Sequence, residues 1–154
     1  MIYIGIDPGV SGGIAVISVA ETPASAIAFK MPSTERDILD LLHDIQNMSM
    51  ADKVFACLET ATASPQMGTV SSFSFGRGFG GLRMALTAER IPFDEVRPAK
   101  WQLVMGCRSK GDKNVTKRRA QQLFPDLKIT HATADSLLIA EFCRRLNTPV
   151  EARA

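Results

Sequence analysis

The N-terminal part of the chain alternates short apolar runs with turn residues, which is the pattern of consecutive β-strands. Three runs fit this pattern: Ile2–Asp7, Ile14–Val19 and Ser25–Met31. The short connections between them predict an antiparallel meander, with Asp7 at the point where the first strand ends. A carboxylate in that position either organises the turn, which Asp-Pro-Gly favours locally, or binds a metal ion or a phosphate.

The remaining pattern switches between helical and strand periodicity. Apolar residues from Ile38 to Ile45 recur at helical spacing and predict an amphipathic helix over about residues 34–48. Lys53–Glu59 is apolar on both faces and follows that helix, so we expect a central parallel strand beside the first one. Further predicted elements are a loop over Ala61–Met67, a long helix from Thr69 to Arg90, a strand over Phe93–Arg97, a turn or short helix from Pro98 to Leu103, and helices over Val115–Phe124 and Ala132–Leu146.

This order of elements predicts a single α/β domain over residues 1–154, with a mixed five-stranded sheet whose first three strands are antiparallel and whose faces carry helices. A composition of 45% hydrophobic and 22% charged residues is that of an ordinary globular domain. The sequence has no apolar run of the roughly 18–20 residues that span a bilayer, and no secretory signal pattern. Cys57, Cys107 and Cys143 are isolated, which favours a reducing compartment. We therefore expect a soluble, cytoplasmic protein with no membrane partner.

The overall charge of +2 conceals a strongly basic segment. Between Arg97 and Ala120 there are eight basic residues and one acid, Asp112, so that segment carries +7 and the rest of the chain −5. A solvated helix face normally carries charges of both signs, and here the acids are nearly missing. The asymmetry favours contact with a polyanion such as nucleic acid on one face of the protein.

Acidic residues end two of the predicted strands. If the strands are adjacent and parallel, Asp7 and Glu59 lie at the same edge of the sheet. His131 and Asp135 are four residues apart and share a face of the last helix, which small alanines allow to approach the sheet closely. Such an oxygen-rich group suits Mg²⁺ or Mn²⁺ better than zinc. The alternatives are that Glu59 only pairs with a lysine and that His131 only begins a helix.

Four segments together resemble the RuvC-type Holliday junction resolvases, in particular the phage-encoded branch, which have a ribonuclease H-like fold. They are Ile4-Gly-Ile-Asp7-Pro-Gly-Val-Ser-Gly-Gly-Ile14, Leu58-Glu59, Pro65-Gln-Met-Gly68 and Ala134-Asp135-Ser-Leu-Leu-Ile-Ala140. The resemblance covers nearly the whole chain and keeps the motif order. It implies a metal-dependent, structure-selective endodeoxyribonuclease that resolves four-way DNA junctions by paired symmetric nicks. Water attack would leave 5′-phosphate and 3′-hydroxyl ends.

The resemblance also assigns roles to particular residues. Asp7, Glu59 and Asp135 match the metal-binding acids, and His131 stands near the position where the family often has a further acid or histidine. The implied cofactor is Mg²⁺, which Mn²⁺ would replace, and no nucleotide cofactor is implied. Family members act as homodimers that pair through the helix after the Glu motif, here Thr69–Arg90.

For the DNA itself, the resemblance points to the basic segment and to one helix. Lys110, Lys113 and Lys117, with the adjacent Arg118, are candidate phosphate contacts. Phe73 and Phe75 either stack on unpaired bases or pack in the core. Trp101 matches a recurrent tryptophan, which we interpret as core or loop packing rather than catalysis. We interpret Pro8-Gly9 and Gly12-Gly13 as clearance for a DNA backbone and not as a nucleotide-binding loop.

Three other functions compete with junction cleavage. A different ribonuclease H-like nuclease would act on RNA–DNA hybrids or branched replication DNA. A non-catalytic junction-binding protein would gain nothing from carboxylates that face phosphates. A sugar-kinase or actin-like ATPase needs two such domains, for which 154 residues are too few.

Overall fold

A mixed five-stranded sheet forms the centre of the computed structural model, which describes residues 1–20, 24–48, 53–60, 62, 65–108 and 110–148. The strands are β1 (Ile2–Asp7), β2 (Gly13–Ser18), β3 (Ser25–Lys30), β4 (Val54–Glu59) and β5 (Phe93–Val96), and the helices are α1 (Glu35–Met48), α2 (Thr69–Ala88), α3 (Pro98–Val104), α4 (Lys113–Leu123) and α5 (His131–Asn147). The strand order is β3-β2-β1-β4-β5. Residues 61, 63 and 64, which belong to the loop predicted over Ala61–Met67, lie outside the described residues, as does residue 109.

The register of the sheet confirms the predicted meander and crossover. β1 and β2 are antiparallel, as are β2 and β3, whereas β4 lies parallel to β1 and β5 lies parallel to β4. Ile6 is opposite Leu58 in the parallel pair, so the next residues, Asp7 and Glu59, end their strands at the same edge. The crossover through α1 therefore brings together two acids that are far apart in the sequence.

Both faces of the sheet are covered, which explains the continuous apolar runs of β1 and β4. On one face, Ile4 and Ile6 pack with Leu42 of α1 and Leu86 of α2. On the other face, the apolar core includes Tyr3 and residues of α3, α4 and α5. Strands buried on both sides are apolar at every position, because successive side chains point to opposite faces.

Helix α5 lies unusually close to the sheet, and two glycines permit it. A Cβ on Gly5 would stand 2.1 Å from the backbone nitrogen of Ala140, and one on Gly13 would stand 2.6 Å from the carbonyl oxygen of Ala132. No side chain fits at either distance, so the sheet presents bare backbone to the helix. This contact sets the height of the first turn of α5 above the edge at which Asp7 ends β1.

Two helix boundaries differ from the prediction by two residues. Helix α4 begins at Lys113, two residues before the predicted start, because the Asp112 carboxylate accepts the backbone N–H of Asn114 at 2.9 Å and caps the first turn. Helix α2 ends at Ala88, and Arg90 then adopts a left-handed φ of 55° that turns the chain into β5. Within the described ranges, no helix is both long and apolar enough to cross a membrane.

Candidate active site

Three carboxylates meet at one edge of the sheet. Asp7 ends β1, Glu59 ends the neighbouring parallel strand β4, and Asp135 lies in the first turns of α5 above them. All three side chains are half-buried. The predicted convergence of these acids is consistent with this placement, and the fold holds each of them on a regular element instead of a loop.

The first turn of α5 is fixed by its own hydrogen bonds. Thr130 and Thr133 form a reciprocal capping box, and the Ser136 hydroxyl donates to the Thr133 carbonyl at 3.0 Å. The same turn lies against Gly13, where an added Cβ would come within 3.2 Å of the Ser136 hydroxyl oxygen. Asp135, between these residues, therefore has little freedom to move away from the sheet edge.

The glycines of the β1–β2 turn serve the protein's own backbone. A Cβ on Gly12 would stand 2.1 Å from the carbonyl oxygen of Asp7, and Gly9 has a φ of +106° that favours glycine. Gly13 makes room for Ala132, as described above. The interpretation of these glycines as clearance for DNA is therefore wrong for Gly12 and Gly13, whose space is filled from within the fold.

Burial and mutual repulsion make the acids difficult to ionise. Burial raises the pKa of Asp7 from its usual 3.8 to about 7, and the negative charges of Glu59 and Asp135 add to the rise. Burial likewise raises the pKa of Glu59 from 4.5 to about 7, and the charge of Asp135 contributes. The group has more negative charge than the surrounding protein neutralises, which is the electrostatic condition for binding a cation.

One lysine partly compensates this charge. Burial raises the pKa of Asp135, whereas the nearby Thr116 hydroxyl, the Lys113 ammonium and the His131 ring lower it. Lys113 also lowers the pKa of Asp7 and Glu59. Lys113 is the exposed first residue of α4. Because it lowers the pKa of all three acids, its ammonium lies within electrostatic reach of each of them.

The other predicted polar site residues belong to α5, to α4 and to the turn before α4. His131 is the exposed first residue of α5, one turn before Asp135. Lys110 is exposed in the turn before α4 with a left-handed φ of 47°, while on α4 itself Lys117 is half-buried and Arg118 is exposed. These basic residues thus lie in the turn before α4 and on α4 itself, and Lys113, at the start of the same helix, lowers the pKa of all three acids.

The two candidate aromatic residues lie on different faces of α2. Phe73 is 74% exposed and points away from the sheet. Phe75 is half-buried and contributes, with Gly9 and residues at the start of α1, to a cleft of about 650 Å³ beside the turn that follows Asp7. Phe73 is therefore accessible to a partner, while Phe75 is in part a packing residue.

Sequence reasoning missed one member of the site. Trp101 is fully buried in α3, and its indole N–H donates to Oε2 of Glu59 at 2.5 Å. The packing interpretation is correct as far as it goes, but it omits this hydrogen bond. A buried indole N–H requires an acceptor, and that requirement was the signal available in the sequence.

The donor set fits a hard divalent cation. Oδ1 of Asp135 is buried and has no hydrogen-bond partner among the described residues, so it is free to bind a ligand. In the part of the chain that the structure describes, no three His, Cys, Asp or Glu side chains form a ready-made metal cluster. Mg²⁺ needs none, because it is usually held by one or two carboxylates together with waters and substrate phosphates.

The architecture is an α/β fold with a mixed five-stranded sheet, helices on both faces and three acids at one sheet edge. Neither a family model nor a curated protein matches the sequence. Among solved structures, the chain is similar to Thermus thermophilus RuvC in complex with a Holliday junction substrate, with a TM-score of 0.63 and 17% identity over 96% of this chain and 97% of that one. A second Thermus thermophilus RuvC structure gives a TM-score of 0.61 and 17% identity over 96% and 98% of the chains. The chain therefore has a RuvC-type resolvase fold.

Proposed function

We propose that this protein is a divalent-metal-dependent endonuclease that resolves four-way DNA junctions by paired symmetric nicks. The observation that carries the proposal is the meeting of Asp7, Glu59 and Asp135 at one sheet edge, in a fold similar to that of a RuvC bound to a Holliday junction. A protein that only bound DNA would be weakened by buried carboxylates at its phosphate-binding face. A nuclease needs them to hold cations.

Asp7, Glu59 and Asp135 would hold the metal, and His131 is the candidate for a further ligand or a phosphate contact. Two divalent ions, when bound, supply Lewis acidity that activates water and stabilises the leaving 3′ oxygen. With pKa values of about 7, Asp7 and Glu59 are partly protonated near neutral pH and would release those protons when a cation binds. The Lys113 ammonium provides positive charge beside the acids, where the scissile phosphate would lie.

The exposed stripe of α2 is the proposed dimer interface. Phe73 and Met84 are 74% and 64% exposed, and on this helix they share a face with Gly76 and Gly80. A Cβ added at either glycine would meet none of the other elements that the structure describes within 4 Å. Small residues on an exposed apolar face allow close approach of a second helix. Two copies related by a two-fold axis would carry two active sites, as paired nicks on a pseudo-symmetric junction require.

The dimer is tested by filling that space. A Cβ added at Gly76 or Gly80 meets no other element of the described chain within 4 Å. We therefore expect Gly76→Leu and Gly80→Leu to fold and to be monomeric by analytical ultracentrifugation. Gly78→Leu is the matched control, since Gly78 is equally open but faces the cleft beside α1. Dimers of unchanged affinity in all three variants would place the interface elsewhere.

The enzymatic function is tested by offering the protein several substrates. In Mg²⁺, we expect nicking of a synthetic four-way junction and little cleavage of a linear duplex or an RNA–DNA hybrid. Asp7→Asn should bind the junction with at least wild-type affinity, because it removes a negative charge, and should not cut it. Preferred cleavage of the hybrid would support the other nuclease class, and binding without cleavage in Mg²⁺ or Mn²⁺ would support a junction-binding protein.

A further inference from the structure

The pairing of β4 with β5 brings Trp101 close to Glu59. Glu59 is in register with Val96 in the parallel β4–β5 pair, and the N–H of Thr60 donates to the Val96 carbonyl at 2.8 Å. After Arg97, Pro98 begins α3, and Trp101 follows within its first turn. The indole therefore reaches the acid from the strand next to it, through only a few residues of rigid chain.

The contact restrains one oxygen of the carboxylate. The Trp101 indole N–H donates to Oε2 of Glu59 at 2.5 Å, and the tryptophan has 0% of its surface exposed. A fully buried ring in the apolar core cannot turn, so the direction of the N–H is set by packing. A hydrogen bond from a neutral donor to a carboxylate is stronger than one between neutral groups and limits the rotation of the acid.

We propose that Trp101 is a positioning residue that holds Glu59 in the orientation in which the acid binds a divalent cation. Oε2 accepts the indole N–H, and the carboxylate held in this way would bind the cation. The inference rests on the proposed metal-dependent function and adds a residue that acts on the cation only through Glu59. Hydrogen-bond partners of this kind typically change metal affinity by about 10–100-fold when they are removed.

The same contact makes the site observable without DNA. Trp101 is the chain's only tryptophan, so all tryptophan fluorescence of the protein comes from the residue that touches Glu59. A paramagnetic cation held by Glu59 would quench that emission, and the quenching would saturate at the same Mn²⁺ concentration as binding does.

The test measures Mn²⁺ binding by Trp101→Phe, with Mn²⁺ alone as the probe and free Mn²⁺ followed by electron paramagnetic resonance. We expect a dissociation constant about 10–100-fold higher than in wild type. Phe142→Leu is the control, because Phe142 is fully buried in the same apolar core and its loss removes packing but no hydrogen-bond donor. It should bind Mn²⁺ as wild type does.

Each outcome of this experiment has a distinct meaning. Folded Trp101→Phe that binds Mn²⁺ within twofold of wild type overturns the positioning role, while junction cleavage by wild type leaves the proposed function intact. A wild type that neither binds Mn²⁺ nor cuts DNA overturns both. If Trp101→Phe does not fold, the wild-type titration decides: saturable quenching at the binding midpoint supports the proposal, and unchanged emission at saturating Mn²⁺ overturns it.

Discussion

Replacing Asp7 with asparagine should stabilise the metal-free protein at alkaline pH, although it removes a proposed metal ligand. Burial and the charges of Glu59 and Asp135 raise the pKa of Asp7 to about 7, against 3.8 in the unfolded chain. The folded state therefore holds this proton more tightly than the unfolded state does. The resulting stability is fully present below pH 3.8 and is lost as the pH rises through about 7.

The size of the effect follows from that difference. Each pKa unit corresponds to about 1.36 kcal/mol, so ionising Asp7 at pH 8 costs the folded state up to roughly 4 kcal/mol. Asparagine keeps the shape of the protonated acid and avoids this cost. Allowing for relaxation of the neighbouring acids, we expect Asp7→Asn to be more stable by about 1–3 kcal/mol. For a chain of this length, that raises the melting temperature by roughly 2–10 °C.

The assay is thermal unfolding with a chelator at pH 5 and pH 8, repeated at pH 8 with Mg²⁺. The increase in melting temperature of Asp7→Asn over wild type should be larger at pH 8 than at pH 5. Mg²⁺ should raise the melting temperature of wild type more than that of the variant. Glu141→Gln is the control, and it should lower stability at pH 8 where Asp7→Asn raises it. The buried Glu141 accepts hydrogen bonds from Arg144 and Arg145, which hold its pKa below the usual range despite burial. A chelated Asp7→Asn that is no more stable than wild type at pH 8 would refute the reasoning.

Two further predictions concern the docking of α5 and the binding of DNA. Gly5→Ala should lower the free energy of unfolding in denaturant by more than about 3 kcal/mol, because its Cβ would stand 2.1 Å from the Ala140 nitrogen. Gly76→Ala, whose Cβ meets no other described element, should be neutral or slightly stabilising. Similar unfolding midpoints for the two variants would contradict the close packing of α5. Lys113→Gln should weaken junction binding and reduce the slope of log K against log salt by about 1. It should also shift the pH dependence of cleavage to higher pH, because Lys113 lowers the pKa of the acids. Arg118→Gln should reduce the salt slope and leave the pH dependence of cleavage unchanged. Equal pH dependence in the two variants would argue against an effect of Lys113 on the pKa of the acids.

Much of the fold was predictable because its signals are local. Short apolar runs bounded by turn residues located the strands, and the crossover rule placed the strand that ends at Glu59 beside the one that ends at Asp7. Helix boundaries were less accurate where a polar cap decides them. The cap at Asp112 starts α4 two residues before the first apolar residue of that helix.

The features that the sequence could not supply depend on contacts between distant elements. In the sequence alone, Gly5 is only a residue that disfavours a strand. Its role in admitting the backbone of α5 is visible only in the structure. Gly12 could equally have faced DNA, and only the position of the Asp7 carbonyl shows that it does not. The hydrogen bond from Trp101 requires the register of Glu59 with Val96, which no local pattern specifies.

The central claim is that the acidic sheet edge cuts a DNA junction at two symmetric positions. A supercoiled plasmid with an inverted repeat that extrudes a cruciform tests it most directly. Paired nicks within one binding event yield linear DNA, whereas a single nick releases the supercoiling and leaves a nicked circle. We predict Mg²⁺-dependent linear product from wild type and none from Asp7→Asn. A plasmid left supercoiled by wild type in both Mg²⁺ and Mn²⁺ would contradict the account.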